Sequence, residues 1–167
     1  MTIVHEPIVI ALGSNMQDPP AQIRAAFERL QRLPDSRNWR LSRVFRTPPW
    51  GIREQAEFAN AVALADVSLA PVALMQALLK IEAELGRERL GPRNGPRSID
   101  LDLIGFGHRQ FEVEALVVPH PRARERAFVL GPWRDLAPDA SFPDGTPIAG
   151  AWAALPVAER NAIQPWN

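Results

Sequence analysis

Asp100 and Asp102 break an otherwise apolar run, Ile99 to Ile104, inside the stretch GPRSIDLDLIGFG. Side chains alternate along a strand, so both acids project from one face while Ile99, Leu101 and Leu103 project from the other. At a rise of about 3.3 Å per residue their stems stand roughly 6.6 Å apart. That separation can bracket two divalent ions about 3.5–4 Å apart, the spacing of two-metal phosphoryl-transfer sites. Magnesium suits such a pair, because it takes one or two carboxylates and leaves substrate phosphates and water to complete its shell. The plainer alternative is an antiparallel strand with a wet face, where acids are ordinary. Against it, strand interiors disfavour Asp.

Arginines surround these acids in the sequence. The preceding RERLGPRNGPR carries Arg87, Arg89, Arg93 and Arg97 among glycines and prolines, which make it a loop. Singly, each arginine fits a solvated connector. Together, guanidinium groups on a loop able to fold over a site form a phosphate clamp that excludes water. A second cluster, PHPRARER, holds His120, Arg122, Arg124 and Arg126. His120 is either a turn residue, the role read for His5 and His108, or an imidazole that binds phosphate oxygens. Glu82 falls four residues after Leu78 and three before Leu85, so it skirts a helix's apolar stripe and reads as a surface glutamate. Acids on a strand and arginines on a loop suit one ligand well: magnesium bound to a nucleoside triphosphate.

Composition narrows the alternatives. The chain has 167 residues, a formal net charge of zero and 46% hydrophobic residues, as expected for one domain spanning 1–167. Zero net charge excludes a global field that would recruit nucleic acid or an anionic membrane. Lys80 is the only lysine and no Walker loop occurs, so phosphate recognition falls to arginine. The lack of cysteine rules out thiolate nucleophiles, disulfides and cysteine metal sites, and fits a reducing cytoplasm. Near the N-terminus the apolar run Ile8 to Leu12 is too short for a signal peptide or a membrane span.

The elements that must position these residues follow from periodicity. Ile8 to Leu12 reads as a buried strand leading into a turn at Gly13, Ser14 and Asn15. Asp18 caps a helix carrying Ile23, Phe27 and Leu30 on one stripe. Leu41 to Phe45 alternates as a strand, and RTPPWGIREQAE is a loop. Between Phe58 and Ala65 a strand shows Phe58, Asn60, Val62 and Leu64 on one face and four alanines on the other. Ala70 to Leu85 is a helix that Gly86 ends, and Ile99 to Ile104 is the fourth strand. The order βαββαβ predicts an α+β fold of the ferredoxin-like type, an antiparallel sheet covered by helices, with short C-terminal helices packed around that core.

The segments ALGSN, FRTPPWG, FANAV, IEAELGRER, GPRSIDLDLIGFG, VPHPRARERAFVLGP and APD occur in order across nearly the whole chain. Jointly they resemble the 6-hydroxymethyl-7,8-dihydropterin pyrophosphokinases of folate biosynthesis. The resemblance implies transfer of the terminal pyrophosphate of ATP to the pterin hydroxymethyl group, leaving AMP. It also implies a cytoplasmic monomer with two magnesium ions and two small-molecule substrates. Position by position, Asp100 and Asp102 match the metal ligands and, with Arg87, Arg89 and Arg97, the catalytic set. Glu82, Arg87, Arg97, Ile99, His120 and Arg126 match nucleotide-binding positions. Thr47, Pro48, Trp50, Phe58, Asn60, Asp100 and Phe128 match the pterin site, where Phe58 and Phe128 stack on the flat heterocycle and Asn60 bonds its edge. Leu90 and Asn94 depart from the pattern, standing where relatives carry a basic residue and a tryptophan.

Two other readings compete. A nucleotidyltransferase with a Gly-Ser turn and an Asp-x-Asp pair would place its acids soon after the Gly-Ser, yet here Gly13-Ser14 and Asp100 lie most of a domain apart. An RNA-binding module would show aromatics on central strands over a basic sheet face, whereas this chain has no tyrosine and carries its arginines in loops.

Overall fold

A computed structural model describes residues 2–48, 56–86, 98–113 and 116–166. Along the chain these form β1 (Glu6–Ser14), α1 (Pro19–Gln31), β2 (Ser36–Leu41), β3 (Phe45–Thr47), β4 (Phe58–Val67), α2 (Pro71–Glu84) and β5 (Asp100–Phe106). There follow β6 (Phe111–Val113), β7 (Leu116–Val118), a 3-10 turn (Ala123–Glu125), α3 (Ala127–Leu136), α4 (Ile148–Ala154), α5 (Val157–Ala162) and β8 (Gln164–Pro165).

The alternation expected of β4 organises the sheet. Its alanines, Ala59, Ala61, Ala63 and Ala65, are buried together with Ile23, Ala26 and Leu30 of α1 and Leu74, Leu78 and Ile81 of α2. Methyl side chains on that face let the two helices lie close to the backbone. Asp18 starts α1 by accepting the Ala21 N–H at 3.2 Å, and Gly86 follows α2 at φ +87°, a conformation glycine takes without strain.

Pairing is antiparallel throughout. β1 lies between β4 and β5, while the far edge of β4 is shared by β2 and β3, which lie end to end along it. β8 continues the sheet beyond β3, and β6 with β7 makes a separate hairpin. Against the sheet's other face, Ala11, Val62 and Ile104 are buried with Val129, Leu130 and Trp133 of α3 and Ile148 of α4. Helices therefore cover both faces, and α3 is a ten-residue helix where only short ones were expected.

Two local expectations need correction. Leu41 to Phe45 is not one strand: Leu41 ends β2 and Phe45 begins β3. Ser42 explains the break, because its N–H donates to the Val62 carbonyl at 2.9 Å while its hydroxyl accepts the Val62 N–H at 2.9 Å. A side-chain oxygen thus stands in for the backbone carbonyl, and the chain turns without leaving a buried amide unpaired. Gly13 and Ser14 are not a turn either. They are the last two residues of β1, with Gly13 opposite Asn60 on one side and Asp100 on the other.

Candidate active site

The register places the chemistry in rows across the sheet. Asp100, Gly13 and Asn60 are successive neighbours on β5, β1 and β4, and Asp102, Ala11 and Val62 form the next row. Two strand spacings separate Asp100 from Asn60, about 10 Å. All six share the face covered by α3, so the period-two reading of the acids holds.

A cleft opens over the first row. Thr47, Pro48, Phe58, Asn60, Asp100 and Phe128 all line it, as do Asp102 and Arg126. Asn60 is buried and donates from Nδ2 to the Thr47 hydroxyl at 2.7 Å. Its Oδ1 sits 3.0 Å from where a Cβ on Gly13 would be, so the bare glycine makes room for the amide. Phe58 and Phe128 provide aromatic walls, and the Arg126 guanidinium lies 5.5 Å from the Phe128 ring centroid. Aromatic walls beside a buried amide suit a flat heterocycle with a hydrogen-bonding edge. Ala11, Leu12 and Gly13 line it too and were missed from sequence; a glycine directly after an apolar strand run was the available signal.

On the other side of β5 lies a second cleft. Glu82 from α2, His120, Leu116 and Val117 line it, and so do Asp100 and Asp102. His120 is held by its N–H, which donates to the Ile104 carbonyl at 2.9 Å, and by its Nδ1, which accepts the Arg122 N–H at 3.2 Å. Burial first, then the positive charges of Arg126 and Arg122, push its pKa below the usual 6.5, with Asp100 opposing. The imidazole is therefore neutral at pH 7. With Nδ1 accepting, Nε2 carries the proton and is a donor to an oxyanion.

Other expected residues fall differently. Glu82 is not a surface glutamate: only 3% of it is exposed, and its carboxylate accepts the Leu101 N–H at 2.7 Å. Ile99 is fully buried in the core, so it can offer a nucleotide backbone groups only. Arg126, expected with the nucleotide residues, lines the first cleft, while its charge still acts on His120. Trp50, Arg87, Arg89 and Arg97 lie outside the described residues.

Among the described residues no group of three or more His, Cys, Asp or Glu side chains is arranged to hold a metal ion alone. Two carboxylates on a wall shared by two clefts instead fit a hard cation that draws its remaining ligands from substrate, as magnesium does. No helix of the described residues is long and apolar enough to cross a membrane.

Comparison with known proteins shows the family to which the chain is similar. The family model described as 7,8-dihydro-6-hydroxymethylpterin-pyrophosphokinase (HPPK) matches residues 9–138. A 2-amino-4-hydroxy-6-hydroxymethyldihydropteridine pyrophosphokinase of Pseudomonas aeruginosa is 44% identical over 89% of this chain and 91% of its own length. A protein of the same name from Methylorubrum extorquens is 45% identical over 78% of this chain and 82% of its own. Among solved structures, the wild-type HPPK-DHPS of Plasmodium falciparum superposes with a TM-score of 0.67 at 11% identity, over 90% of this chain and 44% of that one. This chain thus spans less than half of that larger polypeptide, and the likeness at such low identity concerns the fold. The family match across most of the domain, with close relatives matched over nearly their full length, places the chain in the 7,8-dihydro-6-hydroxymethylpterin-pyrophosphokinase family.

Proposed function

We propose that the protein transfers the terminal pyrophosphate of ATP to the hydroxymethyl oxygen of 6-hydroxymethyl-7,8-dihydropterin, giving the pterin diphosphate and AMP in folate biosynthesis. The pterin oxygen forms the new bond to the β-phosphorus, the bridge between the α- and β-phosphates breaks, and the hydroxyl proton is lost. The observation that carries this reading is that Asp100 and Asp102 line both clefts, standing between a ring-binding pocket and a second pocket able to take the nucleotide.

Each described residue has a part in that scheme. Asn60, held by Thr47, reads the edge of the pterin, and Phe58 and Phe128 stack on its faces. His120 donates from Nε2 to a phosphate oxygen, and Arg126 meets the phosphates from the wall of the first cleft. Asp100 and Asp102 would hold two magnesium ions, which would supply charge neutralisation of the triphosphate and orientation of the hydroxymethyl oxygen toward the β-phosphorus. Arg87, Arg89 and Arg97 are assigned by resemblance to the phosphate clamp. No side chain is needed as a strong base, because positioning and electrostatic stabilisation supply most of the rate in such transfers. The strand order, with β5 and β4 flanking β1 and β2 outside β4, supports the ferredoxin-like βαββαβ reading. The same reading makes 1–167 one domain and the protein a cytoplasmic monomer with no nucleic-acid or membrane partner.

The test is chromatography of nucleotides after mixing the protein with ATP, magnesium and 6-hydroxymethyl-7,8-dihydropterin. AMP should appear in step with a pyrophosphorylated pterin and be absent with Asp100→Asn. Free pyrophosphate in place of AMP would overturn the assignment.

A further inference from the structure

Among the described residues, Glu82 is the only charged side chain in the buried core. Taking a carboxylate out of water costs several kcal/mol unless strong partners compensate. An apolar residue would be cheaper at this place on α2, whose other buried residues are Leu74, Leu78 and Ile81. Something must favour a hydrogen-bond acceptor here.

The backbone of β5 supplies one reason. The Glu82 Oε2 accepts the backbone N–H of Leu101, the residue between the two acids of β5. β5 is the edge strand of the sheet, paired on one side with β1 alone. Alternate amides of an edge strand point away from its neighbour and need another acceptor once buried. Because the Leu101 N–H points to Glu82, alternation along an antiparallel pair turns the backbone groups of Asp100 and Asp102 toward Gly13 and Ala11 of β1. The strand is therefore gripped from both edges over three consecutive residues, and those three are the acid, the leucine and the acid. Glu82 also lines the same cleft as Asp100 and Asp102.

We propose that Glu82 is a positioning residue: its carboxylate clasps the Leu101 amide and so fixes the orientation of the Asp100 and Asp102 carboxylates toward the metal they hold. The role rests on the reading of those acids as metal ligands, and it differs from the direct nucleotide contact that the family resemblance suggested. A hydrogen-bond acceptor at position 82, more than a charge, is what it requires.

Two measurements on the full chain separate the parts of this claim. The first is amide hydrogen exchange at Leu101 without metal or nucleotide. The wild type and Glu82→Gln, whose side-chain carbonyl can still accept, should protect that amide, and Glu82→Met should exchange it at least tenfold faster. The second is manganese binding in the presence of a non-hydrolysable ATP analogue, followed by the resonance of the metal. Glu82→Met should weaken it about tenfold, the scale of losing an outer partner of a metal ligand, and Glu82→Gln should stay within about threefold. Equal Leu101 exchange in wild type and Glu82→Met would overturn the clasp whatever the metal does. A lost clasp with unchanged manganese affinity would overturn the positioning role. If Glu82→Met fails to fold, Glu82→Gln decides: loss of Leu101 protection or of manganese affinity in that variant overturns the proposal. Wild-type protein that protects Leu101 yet binds no manganese would overturn the positioning role by removing its metal site, a failure visibly distinct from loss of the clasp.

Discussion

Gly13 and Asn60 face each other across β1 and β4, and a Cβ at position 13 would lie 3.0 Å from the Asn60 side-chain Oδ1, close enough to displace it. The amide is thereby fixed between a glycine on one strand and the Thr47 hydroxyl on another. Asn60→Ala should weaken pterin binding by about ten- to a hundredfold, the worth of roughly 1–3 kcal/mol in lost polar contacts. Binding of an ATP analogue should be spared. Gly13→Ala should act in the same direction by pushing the amide aside. Calorimetry with each ligand checks both; weakened nucleotide binding with intact pterin binding would mean the clefts are exchanged.

Asp100→Asn and Asp102→Asn should each abolish magnesium-dependent turnover, by about a hundredfold or more on the scale of losing one preorganised electrostatic group. Both acids are only half-buried on the strand, so the melting temperature should fall by no more than a few degrees. Activity assays across magnesium concentrations, with thermal unfolding alongside, test this. Wild-type turnover in both variants would remove the metal site.

His120 provides a pH signature. Its folded-state pKa is lowered, so the unfolded chain takes up the proton first as pH falls. Stability should therefore rise with pH from the lowered pKa up to about 6.5 and stay level above it, as far as this residue is concerned. An NMR titration of the imidazole should show a midpoint below 6.5. Arg126→Gln should raise that midpoint by removing a nearby cation. A midpoint at or above 6.5 in the wild type would show that burial does not govern this site.

A Cβ on Gly131 of α3 would lie 2.3 Å from Ile163 Cδ1, the tip of a half-buried flexible side chain that must move aside, and 3.0 Å from Trp152 Cζ3. Gly131→Ala should cost at most about 1 kcal/mol, because Ile163 can move aside and alanine is the better helix former. Chemical denaturation should show this loss while turnover per folded molecule is retained, because the contact lies with the C-terminal segment.

The parts of this architecture that sequence revealed are those with a period. Asp100 and Asp102 could be put on one face because strands alternate, and the alanines of β4 announced a close helix layer for the same reason. What stayed hidden depends on contacts made only after folding. A hydroxyl replacing a carbonyl at Ser42 leaves no periodic trace. Gly13 was ambiguous, since glycine marks turns and close approaches alike, and only Asn60 across the sheet decides between them. Glu82 looked solvated because its acceptor role depends on an amide of an edge strand, Leu101, far along the chain. That Thr47, Pro48, Phe58, Asn60 and Phe128 belong together was suggested by family motifs, but the Asn60–Thr47 bond within their common cleft was not.

The alternation of β4 makes that strand a ledger with two columns. Ala59 and Ala61 sit against α1 and α2, whereas Phe58 and Asn60 open onto the ring pocket. Enlarging a residue in the first column should move the melting point, and changing one in the second should move ligand affinity. A substitution scan from 58 to 61 would thus switch phenotype at every step, with neighbours in sequence answering to different selective pressures.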